Sequence, residues 1–238
     1  VLEGDELRPG ARSYVHFRLE TPAAALPGDR YVIRSYSPAV TIGGGSILDP
    51  NPPKARRTRA KLIEHLRVLE QGRPTERVER HLLASGFAPM TIEELRARCA
   101  LEQTAVSDAL GELVEGGRAV QVGSKEGAGT LHADRVDALQ ADVLGRLEDF
   151  HAKEPLKDGL AKEELRSKLP GQLPPGTYLW MLGRLVANGQ IAVERDKVRL
   201  ANYRPKLSAA EEDLKTKIEV AFRGGGFQPP APDAVLGD

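Results

Sequence analysis

Polar and apolar positions alternate from Arg12 to Glu20. Val15, Phe17 and Leu19 fall on one side, His16, Arg18 and Glu20 on the other. A period of two predicts a half-buried strand. A turn at Pro27-Gly28-Asp29-Arg30 precedes a second predicted strand, Tyr31-Val32-Ile33-Arg34. After a Ser37-Pro38 loop, residues 41–48 read as a third. Three strands leave open edges and cannot close a barrel. Further strands are expected before Val1, and with a first residue other than Met the chain reads as a fragment.

Asp49-Pro50-Asn51-Pro52-Pro53 ends the β region. From there the period lengthens. Leu62, Ile63, Leu66 and Leu69 follow three-to-four spacing, which predicts a helix over 54–71 stopped by Gly72.

Beyond residue 73 the pattern is helical and it repeats. Glu93-Glu94-Leu95-Arg96 recurs as Glu163-Glu164-Leu165-Arg166. Leu110-Gly111-Glu112-Leu113-Val114 with Gly117 recurs as Leu182-Gly183-Arg184-Leu185-Val186 with Gly189. Gly86-Phe87-Ala88-Pro89 returns at two periods' distance as Gly226-Phe227-Gln228-Pro229. A unit of this length is a small domain used in tandem rather than a solenoid repeat.

In the first unit, Val78, Leu82 and Leu83 mark one helix. Thr91 caps a second over 92–99, with Glu94 completing a capping box. A third runs over 104–115, with Val106, Leu110, Leu113 and Val114 expected inward. Strands at 119–122 and 129–132 flank a Gly-rich tip. The second unit places Leu139, Val143, Leu147 and Phe150 on helix one, and Leu165 and Leu169 on helix two. Tyr178, Leu179, Leu182, Leu185 and Val186 mark helix three, before strands at 190–195 and 197–201. Three helices plus a hairpin is the winged-helix arrangement. A third unit begins with a helix over 209–222 capped by Ser208, and is read as incomplete.

Composition changes little. Among 238 residues, 34 basic and 34 acidic side chains balance, which argues against a uniformly basic polyanion binder. No apolar run is long enough to span a membrane, no signal peptide is apparent, and the lone Cys99 fits a reducing, cytoplasmic setting. Charge is nevertheless local. Lys54, Arg56, Arg57, Arg59, Lys61 and Arg67 outnumber Glu64 and Glu70 across 51–72, and the first five are candidate phosphate contacts. By contrast, 104–115 carries Asp108, Glu112 and Glu115 with no Lys or Arg, and 178–188 carries only Arg184. Helices that read a groove are repelled by phosphates when acidic, so both complete units read as spacers or protein-contact modules.

Catalytic patterns are absent from the sequence. The five histidines lack H-x-x-x-H spacing, Cys99 reads as a buried thiol, and Gly123–Gly129 lacks the P-loop order. No metal or cofactor is expected in this chain, nor an enzymatic activity. Gly43-Gly44-Gly45 leaves two readings open, a β-bulge or the close approach of a nucleic-acid backbone.

Asp29-Arg30-Tyr31-Val32-Ile33-Arg34-Ser35-Tyr36-Ser37-Pro38, Thr41-Ile42-Gly43-Gly44-Gly45 and Asp49-Pro50 together resemble the selenocysteine-specific translation elongation factor of bacteria. Elongation factor Tu relatives share this skeleton less closely. The resemblance implies a multidomain fold, a partial β-barrel (translation-factor domain III) followed by tandem α+β winged-helix domains, mostly helical. Its parts are the C-terminal half of the barrel over 1–50, a basic linker helix over 51–72, winged units over 73–133 and 134–203, and a truncated third over 204–238. It implies a GTPase that delivers selenocysteinyl-tRNA to the ribosome at UGA, with the last winged domains holding a messenger RNA stem-loop. GTP and Mg would then belong to a domain outside this chain. Arg34, Thr41, Gly43, Gly44 and Gly45 match the motif and are the implied tRNA contacts. A monomer is expected. A DNA-binding tandem winged-helix regulator is the alternative, which the repeat alone would support.

Overall fold

A computed structural model describes residues 1–4, 6–50, 52, 59–124, 127–205 and 209–225. The chain divides into two compact units. One comprises Val1–Gln140 and Gln172–Met181, the other Ala141–Gly171 and Leu182–Asp238.

The first unit opens with an antiparallel hairpin, β1 (Arg30–Arg34) and β2 (Thr41–Ser46). Tyr31 faces Gly45, Val32 faces Gly44 and Ile33 faces Gly43, and a bulge follows Ile33. The predicted strand over 12–20 is not formed. Among the described residues, only Leu2 N–H to Tyr14 O links it to a neighbouring segment through the backbone, and an alternating pattern without a ladder partner leaves its amides to water. Phe17 and Leu19 stay 47% and 61% exposed. Phe17 still meets the Tyr31 ring edge-on at 5.3 Å.

Helix α1 (Arg59–Gln71) buries His65, Leu66 and Leu69. Its predicted start, residues 54–58, lies outside the described residues. Between residues 73 and 133 the elements follow in the predicted order as α2 (Pro74–Ala84), α3 (Ile92–Cys99), α4 (Gln103–Glu115), β3 (Ala119–Ser124) and β4 (Gly127–His132). Thr91 Oγ1 accepts from Glu94 N–H at 3.2 Å while the Glu94 carboxylate accepts from Thr91 N–H at 2.9 Å, the capping box read from sequence. Val78, Leu82, Leu95, Val106 and Leu113 form the centre of the core. Val114 is a correction: it is exposed, because Leu110 and Leu113 already fill the buried stripe of α4.

Helices α5 (Ala133–Lys153) and α7 (Pro175–Ala187) each contribute to both units. The second unit adds β5 (Leu160–Ala161), α6 (Lys162–Ser167), β6 (Ile191–Glu194) and β7 (Lys197–Leu200), with β7 central in the sheet. Val143, Leu147, Leu160, Leu165, Leu185 and Val198 are buried there. Leu179 and Val186, two of the apolar residues that mark α7, are exposed. The α7 sequence is apolar nearly all round, so hydrophobicity alone does not select its buried face.

The repeated glycines have a common physical reason. Gly117 and Gly189 both take positive φ, 68° and 67°. Arg118 N–H reaches back to Leu113 O, and Gln190 N–H reaches Leu185 O in the same way. Both close the third helix with a left-handed cap that only glycine adopts without strain. Last comes α8 (Ala209–Gly225). Its predicted cap Ser208, and the third copy of the Gly-Phe-x-Pro motif, lie outside the described residues.

Candidate nucleic-acid interface

The hairpin collects all the motif residues. β1 presents Arg30, Val32 and Arg34 outward, because Tyr31 and Ile33 turn to the other, half-buried side. The guanidinium of Arg34 donates to Ala39 O at 3.3 Å and has no carboxylate partner among the described residues. This bond steadies the 35–40 loop, which Ser35 N–H to Val40 O (2.9 Å) also closes. Tyr36 stands on that loop fully exposed, beside Arg34 in sequence. Thr41 pairs with Arg34 across the bulge and is exposed.

The three glycines separate into two classes. A Cβ on Gly44 would sit 2.5 Å from Tyr31 O, and one on Gly45 would sit 2.7 Å from the Tyr31 hydroxyl. Packing within the hairpin therefore accounts for both. A Cβ on Gly43 would meet nothing within 4 Å. Gly43 is the position that the hairpin's own packing leaves unexplained.

Of the basic cluster, Lys54, Arg56 and Arg57 lie outside the described residues. Arg59 donates to Val1 O at 2.9 Å and to Gly4 O at 3.1 Å, so it fastens the N-terminal segment to α1. Lys61 is exposed near Glu64, whose carboxyl Arg80 holds below its usual range by hydrogen bond and charge.

A buried joint behind this surface escaped the sequence reading. His65 Nε2 lies 3.5 Å from Asp49 Oδ2, with side chains 2% and 5% exposed. The His65 ring meets His81 of α2 edge-on at 6.2 Å. Burial pushes His81 down to about 4, against the opposing pull of Asp49. Nearby, Tyr14 Oη donates to Glu70 Oε2 at 2.5 Å, and burial with this carboxylate raises the Tyr14 pKa. The β segment, α1 and α2 are thus tied by polar contacts 16 to 56 residues apart. The usable signal was local: His65 sits beside Leu66 and Leu69, and His81 beside Val78 and Leu82, on the buried faces of their helices.

Neither third helix offers a basic reading face. In α4, Asp108, Glu112 and Glu115 are exposed, and Glu112 accepts from Thr75 Oγ1 at 2.7 Å. Cys99 is buried in the core, its thiol pushed up to about 11 by burial, and the described residues hold no cluster suited to a metal ion.

Residues 1–54 match the family model for the β-barrel domain of selenocysteine-specific elongation factor, and residues 144–200 match that for the winged helix of elongation factor SelB. A selenocysteine-specific elongation factor from Desulfomicrobium baculatum is 29% identical over 235 residues. That alignment covers 99% of this chain. The chain is thus similar to SelB-type selenocysteine-specific elongation factors in both its barrel and its winged-helix segment. It spans 37% of the length of that relative. In SelB terms, the exposed hairpin lies in the barrel-domain segment, and β5, β6 and β7 lie in the winged-helix segment. The DNA-regulator alternative is not favoured. No described helix is long and apolar enough to cross a membrane.

Proposed function

We propose that this chain serves a cytoplasmic, monomeric SelB-type factor that delivers selenocysteinyl-tRNA to the ribosome at UGA codons. Its barrel hairpin contacts the tRNA and its winged units connect towards the part that holds the messenger stem-loop. GTP and Mg are assigned to the remainder of such a factor, and no residue here is given a role in hydrolysis. The observation that carries the reading is the Arg34–Thr41–Gly43 edge of the hairpin. It offers an uncompensated guanidinium, a hydroxyl, and a backbone that nothing in the hairpin covers. These are the groups that contact RNA phosphates and 2′-hydroxyls. Lys61, with Lys54, Arg56 and Arg57, would extend the electrostatic footprint, whereas Arg59 is already engaged with backbone carbonyls.

The acidic solvent side of α4 supports the connector role, since it would repel a phosphate backbone. The test is aminoacyl-tRNA binding by a full-length factor carrying this segment. Arg34→Ala is expected to weaken binding by about 1–2 kcal/mol, a charged hydrogen bond's worth. Unchanged affinity would remove Arg34 from the interface.

A further inference from the structure

The second unit contains a group of side chains that none of these roles uses. His151, near the end of α5, is 5% exposed. Its Nε2 accepts from Leu200 N–H at 3.3 Å, at the last residue of β7. The imidazole stacks on the Tyr203 ring, with centroids 3.5 Å apart and planes 15° apart. Tyr203 Oη donates to Pro155 O at 2.6 Å. From the other side, the Arg199 guanidinium donates to Ala201 O and Tyr203 O, each at 3.3 Å, while its second nitrogen donates to Glu194 at 2.8 Å. Helix α5, the segment after it at Pro155 and Arg199 of β7 therefore converge on residues 200–203, where the chain leaves the sheet before α8.

We propose that His151, Arg199 and Tyr203 form a fastening, released by protonation of His151, that sets the course of the chain as it leaves the wing of the second unit. The chemistry follows from the acceptor role of Nε2. An imidazolium has no free lone pair, so the bond from Leu200 N–H is lost on protonation. The charge facing His151 from β7 is Arg199, and β6 supplies Glu194, which is tied to Arg199. The 154–158 loop contributes the uncharged Pro155 carbonyl, and Glu154 there is paired with Lys157 at 3.3 Å. On its own helix, the Phe150 ring adjoins His151 at 5.5 Å. Burial and Arg199 lower the His151 pKa. The stacked Tyr203 face favours a cation and keeps protonation within reach. Release is accordingly expected below the ordinary histidine range, and at neutral pH the fastening is closed.

The test is amide exchange on the whole 238-residue chain, corrected for intrinsic rates, from pH 7 to pH 4.5. Leu200 protection is expected to fall by about tenfold or more, with Tyr203, whose N–H donates to Leu200 O, following at the same midpoint, while the β6–β7 ladder and the adjoining Ala201 N–H to Gln190 O bond stay protected. In His151→Phe, which keeps a stacking ring, the pH response should disappear. Leu200 protection that is flat across this range, or a response that survives in His151→Phe, overturns the proposal. Should His151→Phe fail to fold, Tyr203→Leu provides the second arm. The Leu200 and Tyr203 amides should then lose protection already at pH 7 with the ladder intact, and retained protection there overturns the fastening.

Discussion

Acid should weaken the first unit through His81. The side chain is 2% exposed and its pKa falls from 6.5 to about 4, with burial the largest cause. His65, Arg98 and Arg77 push in the same direction, and Asp49 opposes them. The folded protein therefore holds His81 neutral over a range where the unfolded chain binds a proton. For a base with a depressed folded pKa, the stabilisation is present above the unfolded pKa and is lost as pH falls towards the folded one. Linkage gives a loss of about 2 kcal/mol between pH 7 and pH 5, rising to about 3 kcal/mol at pH 4. Urea unfolding followed by Trp180, the single tryptophan and a residue of the first unit, reads this directly. Other groups titrate in the same range, so the quantity to compare is the difference between the wild-type chain and His81→Leu. The pH slope should be shallower in the variant by that amount. Equal slopes in the two proteins would mean that His81 is not held neutral by burial.

Leu113→Ala removes a fully buried side chain from the core around α4 and is expected to cost about 2–5 kcal/mol in urea unfolding. Thr91→Ala deletes the hydroxyl half of the α3 capping box, for a loss of about 1 kcal/mol by the same assay. Gly44→Ala should disrupt the β1–β2 ladder, because its methyl would meet Tyr31 O, whereas Gly43→Ala should leave ladder amide protection unchanged. Equal effects of these two alanines on the ladder would contradict the packing described here.

The helices and hairpins beyond residue 73 were legible because each cue is local. Three-to-four periodicity marks α2, α4 and α5, Thr91 and Glu94 announce a helix start, and Gly117 and Gly189 announce two ends. Residues 12–20 misled because alternation reports a side-chain pattern, while a strand also needs a partner for its amides. Leu179 and Val186 mark α7 yet stay exposed, because α7 offers apolar residues in more directions than its neighbours can cover. The hairpin residues could be named from the motif, but separating Gly43 from Gly44 and Gly45 required knowing where the Tyr31 side chain and carbonyl lie. The Asp49–His65–His81 joint could not be named, because contacts between separate elements leave no fixed spacing in the chain.

Cys99 has a practical consequence. It is the chain's single cysteine, 1% exposed, and its thiol stays protonated well above neutral pH. Thiol reagents attack through the thiolate, so maleimides and iodoacetamides should pass the native protein by. For labelling purposes the chain already behaves as a cysteine-free background. One cysteine introduced at Tyr36 or on the solvent side of α8 would carry a fluorophore or spin label alone, without first removing a residue from the hydrophobic core.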